Sequence, residues 1–282
     1  MSKGAVIFAY NSTIDYVAMA TLAARLVQKH LDIPVTLITN ATEVESGVFD
    51  QIILQGLVDK EYERVFKFGS SKERVVWHNQ NRSSAYDLSP YDQTLLIDAD
   101  YLIFDSGLKY LFDTNNDIAC YNHVVDINGS RGLQRGARVG NPGIPMQWAT
   151  VMYFTKNQLA QGVFEFMQGI KENYLYYAGA YNFTAQLYRN DYALSIALQA
   201  LTGYNNKNFR AIPGSLLTAN TGIDIAEVRK SGEIVFSWDH KKTETQAAGK
   251  SFTMLKDTNI HIMNKRTITD TDIIDQLTEL AL

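Results

Sequence analysis

Thr94-Leu95-Leu96-Ile97-Asp98-Ala99-Asp100 decides how this chain is read. The first four residues carry no charge and have the composition of a strand buried on both faces of a parallel sheet. Two carboxylates stand where that strand must end. Ligands of open α/β sheets sit just beyond the carboxyl ends of the strands. Two acids one residue apart at that edge can grip a divalent cation and, through it, a phosphate. The Asp-x-Asp pattern alone is weak, since a chain this long meets about one by chance. Asp270-Thr271-Asp272 is such a match. Ile273, Ile274, Leu277 and Leu280 follow it, so it reads as the start of a helix. The plain alternative for Asp98 and Asp100 is a turn with a capping acid; the strand before them favours a ligand site.

The sequence on either side supports a sheet. Ala5 to Tyr10 reads as a first strand, bounded by Asn11-Ser12-Thr13. Val17, Ala20, Ala24, Val27 and Leu31 then recur at helical spacing. Ser12 or Thr13 can cap this helix, with Asp15 in its first turn. Pro34 to Ile38 and Gln51 to Leu54 read as strands, and helical sequence around Asn79 to Leu88 leads into the Leu95 strand. This alternation predicts a parallel sheet. No Gly-x-Gly-x-x-Gly follows the first strand, so the usual dinucleotide fingerprint is missing.

The second half is less regular. Asp117 to Tyr121 and Ala149 to Phe154 read as strands, and Gly129 to Pro145, rich in glycine and arginine, as a loop. Thr155-Lys156-Asn157-Gln158 has the capping-box pattern and predicts a helix with Leu159, Val163, Phe166 and Met167 on one side. Asp191 to Leu198 begins another helix. Ile234 to Trp238 and Ile260 to Met263 read as short strands, and Thr271 to Leu282 as a C-terminal helix. With no repeat, linker or low-complexity tract, residues 1–282 are expected to form one compact α/β domain: a mixed, Rossmann-like sheet flanked by helices.

Composition excludes several classes. The chain has 282 residues, 46% of them hydrophobic, enough for a substantial core. Its net charge of −4 provides no global field toward nucleic acid or membrane. One cysteine, Cys120, rules out an internal disulfide framework, and its apolar neighbours suggest a buried thiol. Met1-Ser2-Lys3-Gly4 leads into a strand and not a signal sequence, and no apolar run is long enough to span a bilayer. The expectation is a soluble, cytoplasmic protein without a membrane partner.

The order of these features resembles the GT-A-fold glycosyltransferases of the glycogenin-related kind, over about residues 4 to 266. In that family a first strand and polar turn hold the nucleotide, here Ala9-Tyr10-Asn11. A basic residue on a helix precedes the central strand, here Arg82 with Tyr86. The strand ends in Asp-x-Asp, here Asp98-Ala99-Asp100. A later strand lies on the acceptor side, here Trp148 to Phe154, and an acidic residue opens a helix, here Asp191. A late histidine is the third metal ligand, with a lysine after it, here His261 and Lys265. The resemblance implies a nucleotide-binding half over 4–105, an acceptor-side half over 106–266 and a C-terminal helix over 267–282. It implies a UDP-sugar donor and a Mn²⁺ or Mg²⁺ cofactor, with Asp98, Asp100 and His261 as ligands and Asp191 and Lys265 as catalytic candidates.

The segment Ala85-Tyr86-Asp87-Leu88-Ser89-Pro90-Tyr91-Asp92, leading into Leu95 to Asp100, looks like glycosyltransferases of tailed bacteriophages. Some of these modify hydroxymethylated cytosines of their own DNA. The implied acceptor is 5-hydroxymethylcytosine in phage DNA, the sugar one such as arabinose or glucose, and the location the host cytoplasm. Arg131, Arg135 and Arg138 could then meet acceptor phosphates, and Trp148 could stack on a base or sugar. The chain departs from the family at two places. The family's late motif is His, a Gly, then Lys-Pro-Trp, where this chain has His261-Ile262-Met263-Asn264-Lys265-Arg266. The acceptor strand's Asn-Ser-Gly is replaced by Gln147-Trp148-Ala149-Thr150.

The chemistry is coherent without the family. Sugar transfer from a nucleoside diphosphate must stabilise a departing diphosphate. A divalent metal can do this, and a nearby Lys or Arg adds to it. Two carboxylates and an imidazole suit Mn²⁺ or Mg²⁺, the histidine tilting the choice to Mn²⁺. Asp191 can be a base for the acceptor hydroxyl, a sugar contact, or a helix cap. Three other readings stay open: transfer to a polysaccharide or protein acceptor, a phosphatase of the haloacid dehalogenase type with Asp98 as nucleophile, and a nucleotide-sugar-binding module without catalysis.

Overall fold

A computed structural model describes residues 1–56, 62–68, 71–77, 81–129, 138–140, 143–183, 188–203, 209–240 and 248–282. The chain begins with β1 (Lys3–Ala9), α1 (Tyr16–Leu31), β2 (Val35–Thr39) and β3 (Gln51–Leu54). A hairpin of β4 (Tyr62–Phe68) and β5 (Ser71–Trp77) follows, then a 3-10 turn (Asn81–Ser84), α2 (Ala85–Leu88) and β6 (Gln93–Asp98). Next come β7 (Tyr101–Leu102), a second 3-10 segment (Gly107–Asp113), β8 (Ile118–Tyr121), β9 (Val124–Asp126), β10 (Arg138–Val139), β11 (Ile144–Pro145) and β12 (Trp148–Thr155). After them run α3 (Gln158–Glu172), α4 (Tyr174–Ala180), α5 (Asn190–Thr202), β13 (Phe209–Ala211) and β14 (Leu216–Ala219). The chain ends with β15 (Asp224–Val228), β16 (Ile234–His240), β17 (Gly249–Leu255), β18 (Ile260–Ile262), α6 (Lys265–Ile268) and α7 (Thr271–Ala281).

Seven strands form the central sheet in the order β13-β8-β12-β6-β1-β2-β3. β6, β1, β2 and β3 are parallel, as the alternation predicts. β12 runs antiparallel between β6 and β8, which makes the sheet mixed. β6 lies in the middle, and Leu95, Leu96 and Ile97 are wholly buried. Each contributes roughly 1.5–3 kcal/mol relative to an exposed side chain. A second sheet, β7-β18-β14-β9, begins one turn beyond β6. The Ala99-Asp100 turn therefore carries the chain from one sheet to the other. β15, β16 and β17 form an antiparallel meander.

Several boundaries differ from the sequence reading. Asp15, not Ser12 or Thr13, caps α1, accepting from Ala18 N at 2.9 Å. Asn157, not Thr155, caps α3, accepting from Ala160 N at 2.9 Å. Thr155 cannot do so because it is still paired with Gln93 as the last residue of β12. The buried side of α3 carries Ala160, Val163, Phe164, Met167 and Ile170, while Leu159 and Phe166 are only partly buried. The expected helix over Asn79 to Leu88 is a 3-10 turn and one α-helical turn, with residues 78–80 outside the described set. Residues 267–268 belong to α6, so the C-terminal helix starts at Thr271; Asp270 caps it as read, accepting from Asp272 N and Ile273 N. Cys120 is fully buried, which pushes its thiol pKa up. Among the described residues no helix is long and apolar enough to cross a membrane.

Gly4 in β1 shows how tightly the sheet edge is packed. A Cβ there would lie 2.4 Å from the Tyr91 ring. Tyr91 cannot easily retreat, because its hydroxyl is 2.9 Å from Thr36 Oγ1. Gly4→Ala is expected to destabilise the fold by about 1–3 kcal/mol through overpacking. Urea unfolding checks this, and a midpoint equal to that of the wild type would show that the ring moves freely.

Candidate functional site

The two acids and the histidine, 161 residues apart, are joined by strand pairing. β7 follows Asp100 directly and pairs antiparallel with β18, setting Tyr101 opposite His261. Ile262 N also donates to Asp100 O at 2.9 Å. This ladder leaves His261 Nε2 3.1 Å from Asp100 Oδ2 and 4.0 Å from Asp98 Oδ2. One ligand atom from each of the three residues lies within 4.8 Å of the others. Burial pushes the His261 pKa down and Arg82 adds to this, against the pull of Asp98 and Asp191. A neutral imidazole is the form that ligates metal. Two carboxylates and a neutral imidazole on one small perimeter thus fit a divalent cation.

Two cations hold the acids. Arg82, only 1% exposed, pairs through Nη1 with Asp98 Oδ1. Its Nη2 donates to Leu96 O at 3.4 Å and Thr150 O at 3.2 Å, so one guanidinium ties β6, β12 and the first acid together. Lys265, the first residue of α6, places Nζ against Asp100 Oδ2. Asp191 is in the first turn of α5 but is not its cap, a position taken by Arg189. Its Oδ1 accepts from Ala149 N at 3.0 Å, and its Oδ2 pairs with Arg189 at 2.9 Å. The carboxylate is thereby fixed at the start of β12, and Arg189 lies over the Tyr192 ring at 5.0 Å.

The end of β1 shares this edge, since Phe8 is the register partner of Asp98. Ala9 and Tyr10 are buried beyond it, and the Tyr10 hydroxyl donates to Gln55 Oε1. Asn11 is occupied in building the turn: its N donates to Asn40 Oδ1 at 2.8 Å and its Oδ1 accepts from Val17 N at 2.9 Å. Ala99 is buried in the turn between the acids.

Tyr86 is not brought to this group. Its hydroxyl donates to Asn157 O at 3.2 Å, beyond the end of β12 that pairs with the start of β6. Trp148 is buried at the start of β12, opposite Tyr121. Arg138 is exposed on β10, which packs against α5, and its Nη1 donates to Gly143 O at 3.0 Å. Arg131 and Arg135 lie outside the described residues.

One acid was missed by the sequence reading. Asp126 ends β9 and is in register with Thr218, which is in register with His261 on its other side. Asp126 is buried, and its Oδ2 has no hydrogen-bond partner. Burial pushes its pKa up, against hydrogen bonds from Asn128 and Asn220. The sequence signal was only Val124-Val125 before an acid, too short to read as a strand end.

No protein-family model matches the chain, and no curated protein sequence matches it. Solved structures do. The galactosyltransferase LgtC, in complex with donor and acceptor sugar analogues, aligns at a TM-score of 0.50 and 14% identity, over 99% of this chain and 95% of that one. The glycosyltransferase GlyE of Streptococcus pneumoniae TIGR4 aligns at 0.42 and 15% identity, over 76% of this chain and 46% of that one. The bifunctional glycosyltransferase WbbM aligns at 0.44 and 12%, over 75% of this chain and 39% of that one. This chain therefore spans less than half the length of GlyE or WbbM. The fold, a mixed central sheet flanked by helices in one domain, is that of the GT-A glycosyltransferases.

Proposed function

We propose that this protein is a metal-dependent glycosyltransferase that moves a sugar from a UDP-sugar to an acceptor hydroxyl. The observation that carries the reading is the Asp98, Asp100 and His261 group at the carboxyl end of the central strand. Those three residues would hold Mn²⁺, or Mg²⁺. When bound, the metal supplies Lewis-acid stabilisation of the departing diphosphate, worth several kcal/mol. Arg82 keeps Asp98 in one orientation. Lys265 supplies a positive charge where the leaving oxygen becomes negative. The edge formed by Ala9, Tyr10 and Asn11 would receive the nucleoside. Asp191 would face the acceptor or donor sugar, or take the proton of the acceptor hydroxyl.

For the acceptor we favour 5-hydroxymethylcytosine in DNA. Support comes from the phage-like Ala85 to Asp100 segment and from exposed Arg138, with Arg131 and Arg135 close in sequence. A phosphatase with Asp98 as nucleophile fits less well, because that carboxylate is paired with buried Arg82 and faces an imidazole.

The test is a screen of UDP-sugars with and without Mn²⁺, scored for hydrolysis and for label transfer to acceptors. The expected result is Mn²⁺-dependent turnover, with transfer to hydroxymethylcytosine DNA and not to unmodified DNA. His261→Ala should weaken Mn²⁺ binding more than it lowers the melting temperature; unchanged Mn²⁺ affinity by calorimetry would remove His261 from the site. Turnover of simple phosphomonoesters alone would favour the phosphatase, and donor binding without turnover the binding module. Efficient transfer to a polysaccharide or protein, with none to DNA, would replace the acceptor and leave the glycosyltransferase standing.

A further inference from the structure

We propose that Lys265 is the resident counter-ion of the cation position and must leave it before a metal can enter, so that metal and donor diphosphate bind as a coupled pair. The inference rests on the reading of Asp98, Asp100 and His261 as the cation site. It begins with a charge count. The two carboxylates, Asp98 and Asp100, face two cations, Arg82 and Lys265. Each carboxylate therefore already has a cation on it before any ligand arrives.

The two cations are not equivalent. Arg82 is anchored on Asp98 and on two backbone carbonyls of the central sheet. Lys265 is a point charge on a flexible four-carbon stem at the start of a four-residue helix, and besides Asp100 its Nζ reaches one backbone carbonyl, Ile262 O, at 3.4 Å. Its Nζ lies against Asp100 Oδ2, the same oxygen that His261 Nε2 faces at 3.1 Å. A divalent ion that takes Asp100 Oδ2 and His261 Nε2 as ligands must occupy the space around that oxygen. It cannot share it with an ammonium group. Lys265 must then swing away, and it needs another anion, because its side chain is only 9% exposed. An unpaired ammonium there is costly. A diphosphate entering with the metal provides that anion and receives the displaced charge. Metal without diphosphate takes from Lys265 the carboxylate that balances its charge. Diphosphate without metal has to draw Lys265 away from Asp100. Each ligand thus raises the affinity of the other by the same factor.

A lysine that only contacts phosphate would leave the affinity for metal alone unchanged, and this separates the two roles. The experiment titrates Mn²⁺ into the full chain by calorimetry, with and without UDP, for the wild type, Lys265→Met and Lys265→Arg. The expected result is that Lys265→Met binds Mn²⁺ alone at least about tenfold more tightly than the wild type, a change of ~1.4 kcal/mol. The gain that UDP gives to Mn²⁺ binding should shrink in Lys265→Met by a similar factor. Lys265→Arg keeps the charge and should bind Mn²⁺ alone as weakly as the wild type. Equal Mn²⁺ affinity of the wild type and Lys265→Met without UDP would overturn the counter-ion role and leave the cation site intact. Should Lys265→Met not fold, the wild type still decides: Mn²⁺ binding as tight without UDP as with it overturns the proposal. No Mn²⁺ binding by any of the proteins, with UDP or without, overturns the cation site itself and the counter-ion role with it.

Discussion

Asp100→Asn is expected to abolish sugar transfer, a loss on the order of a thousandfold, while the protein stays folded. The substitution keeps the shape of the side chain and one acceptor oxygen for Lys265 and His261. It removes the negative charge that a divalent cation needs. Asp100 is 5% exposed, so water cannot stand in for the lost charge as it could at the surface. The fold should survive at a lower melting temperature: buried Lys265 loses its counter-charge, but the β7–β18 pairing beside it is made by backbone groups that the substitution leaves alone. Far-UV circular dichroism and a melting curve check the fold, and turnover of a UDP-sugar in the presence of Mn²⁺ checks the chemistry. Wild-type turnover by this variant, or by the unaltered protein in chelator-treated buffer, would sink the metal assignment.

Arg82→Ala should have the largest effect on stability, about 3–5 kcal/mol, the scale for removing one partner of a buried ion pair. Three acceptors lose a donor at once: Asp98 Oδ1, Leu96 O and Thr150 O. The two carbonyls belong to neighbouring strands of the central sheet, so the loss falls on the middle of the fold. It also frees Asp98 to turn away from His261, and transfer should fall together with stability. Arg82→Lys should recover only part of either, because one ammonium cannot span the three acceptors that the guanidinium fork reaches. Urea unfolding gives the number. A loss below about 1 kcal/mol, the worth of a surface pair, would mean that Arg82 is not the clamp its burial indicates.

The legible parts of this protein were those written locally. β6 and β1 could be read because a strand buried on both faces needs an unbroken apolar run. α1 could be read because its sheet-facing side repeats at helical spacing, and α7 because Asp270 precedes such a repeat. The caps of α1 and α3 were misread by two or three residues. Asp15 and Asn157 cap because the chain reaches helical geometry only there, and in the second case because β12 holds Thr155 to its end. β7 and β9 are two and three residues long, too short for any periodic signal, and only backbone pairing defines them.

The candidate site divides along the same line. Asp98 and Asp100 were readable because the strand that presents them immediately precedes them. His261 and Lys265 were found through the order of motifs in a resembling family, since nothing near them in sequence marks a ligand. Asp126 could not be read at all, because its row with Thr218 and His261 exists only once β9, β14 and β18 lie side by side. By itself the sequence determined where apolar surface must be buried, hence the parallel strands and the edge at which two acids emerge. Only the tertiary structure decided what those acids meet. Strand register brings His261 to Asp100, the turn before α2 buries Arg82 against Asp98, and the first residue of α6 sets a lysine where a metal would go. Hydrophobic periodicity is a property of neighbours along the chain. Contact across 161 residues is a property of the folded backbone, which fixes distances that no local pattern encodes.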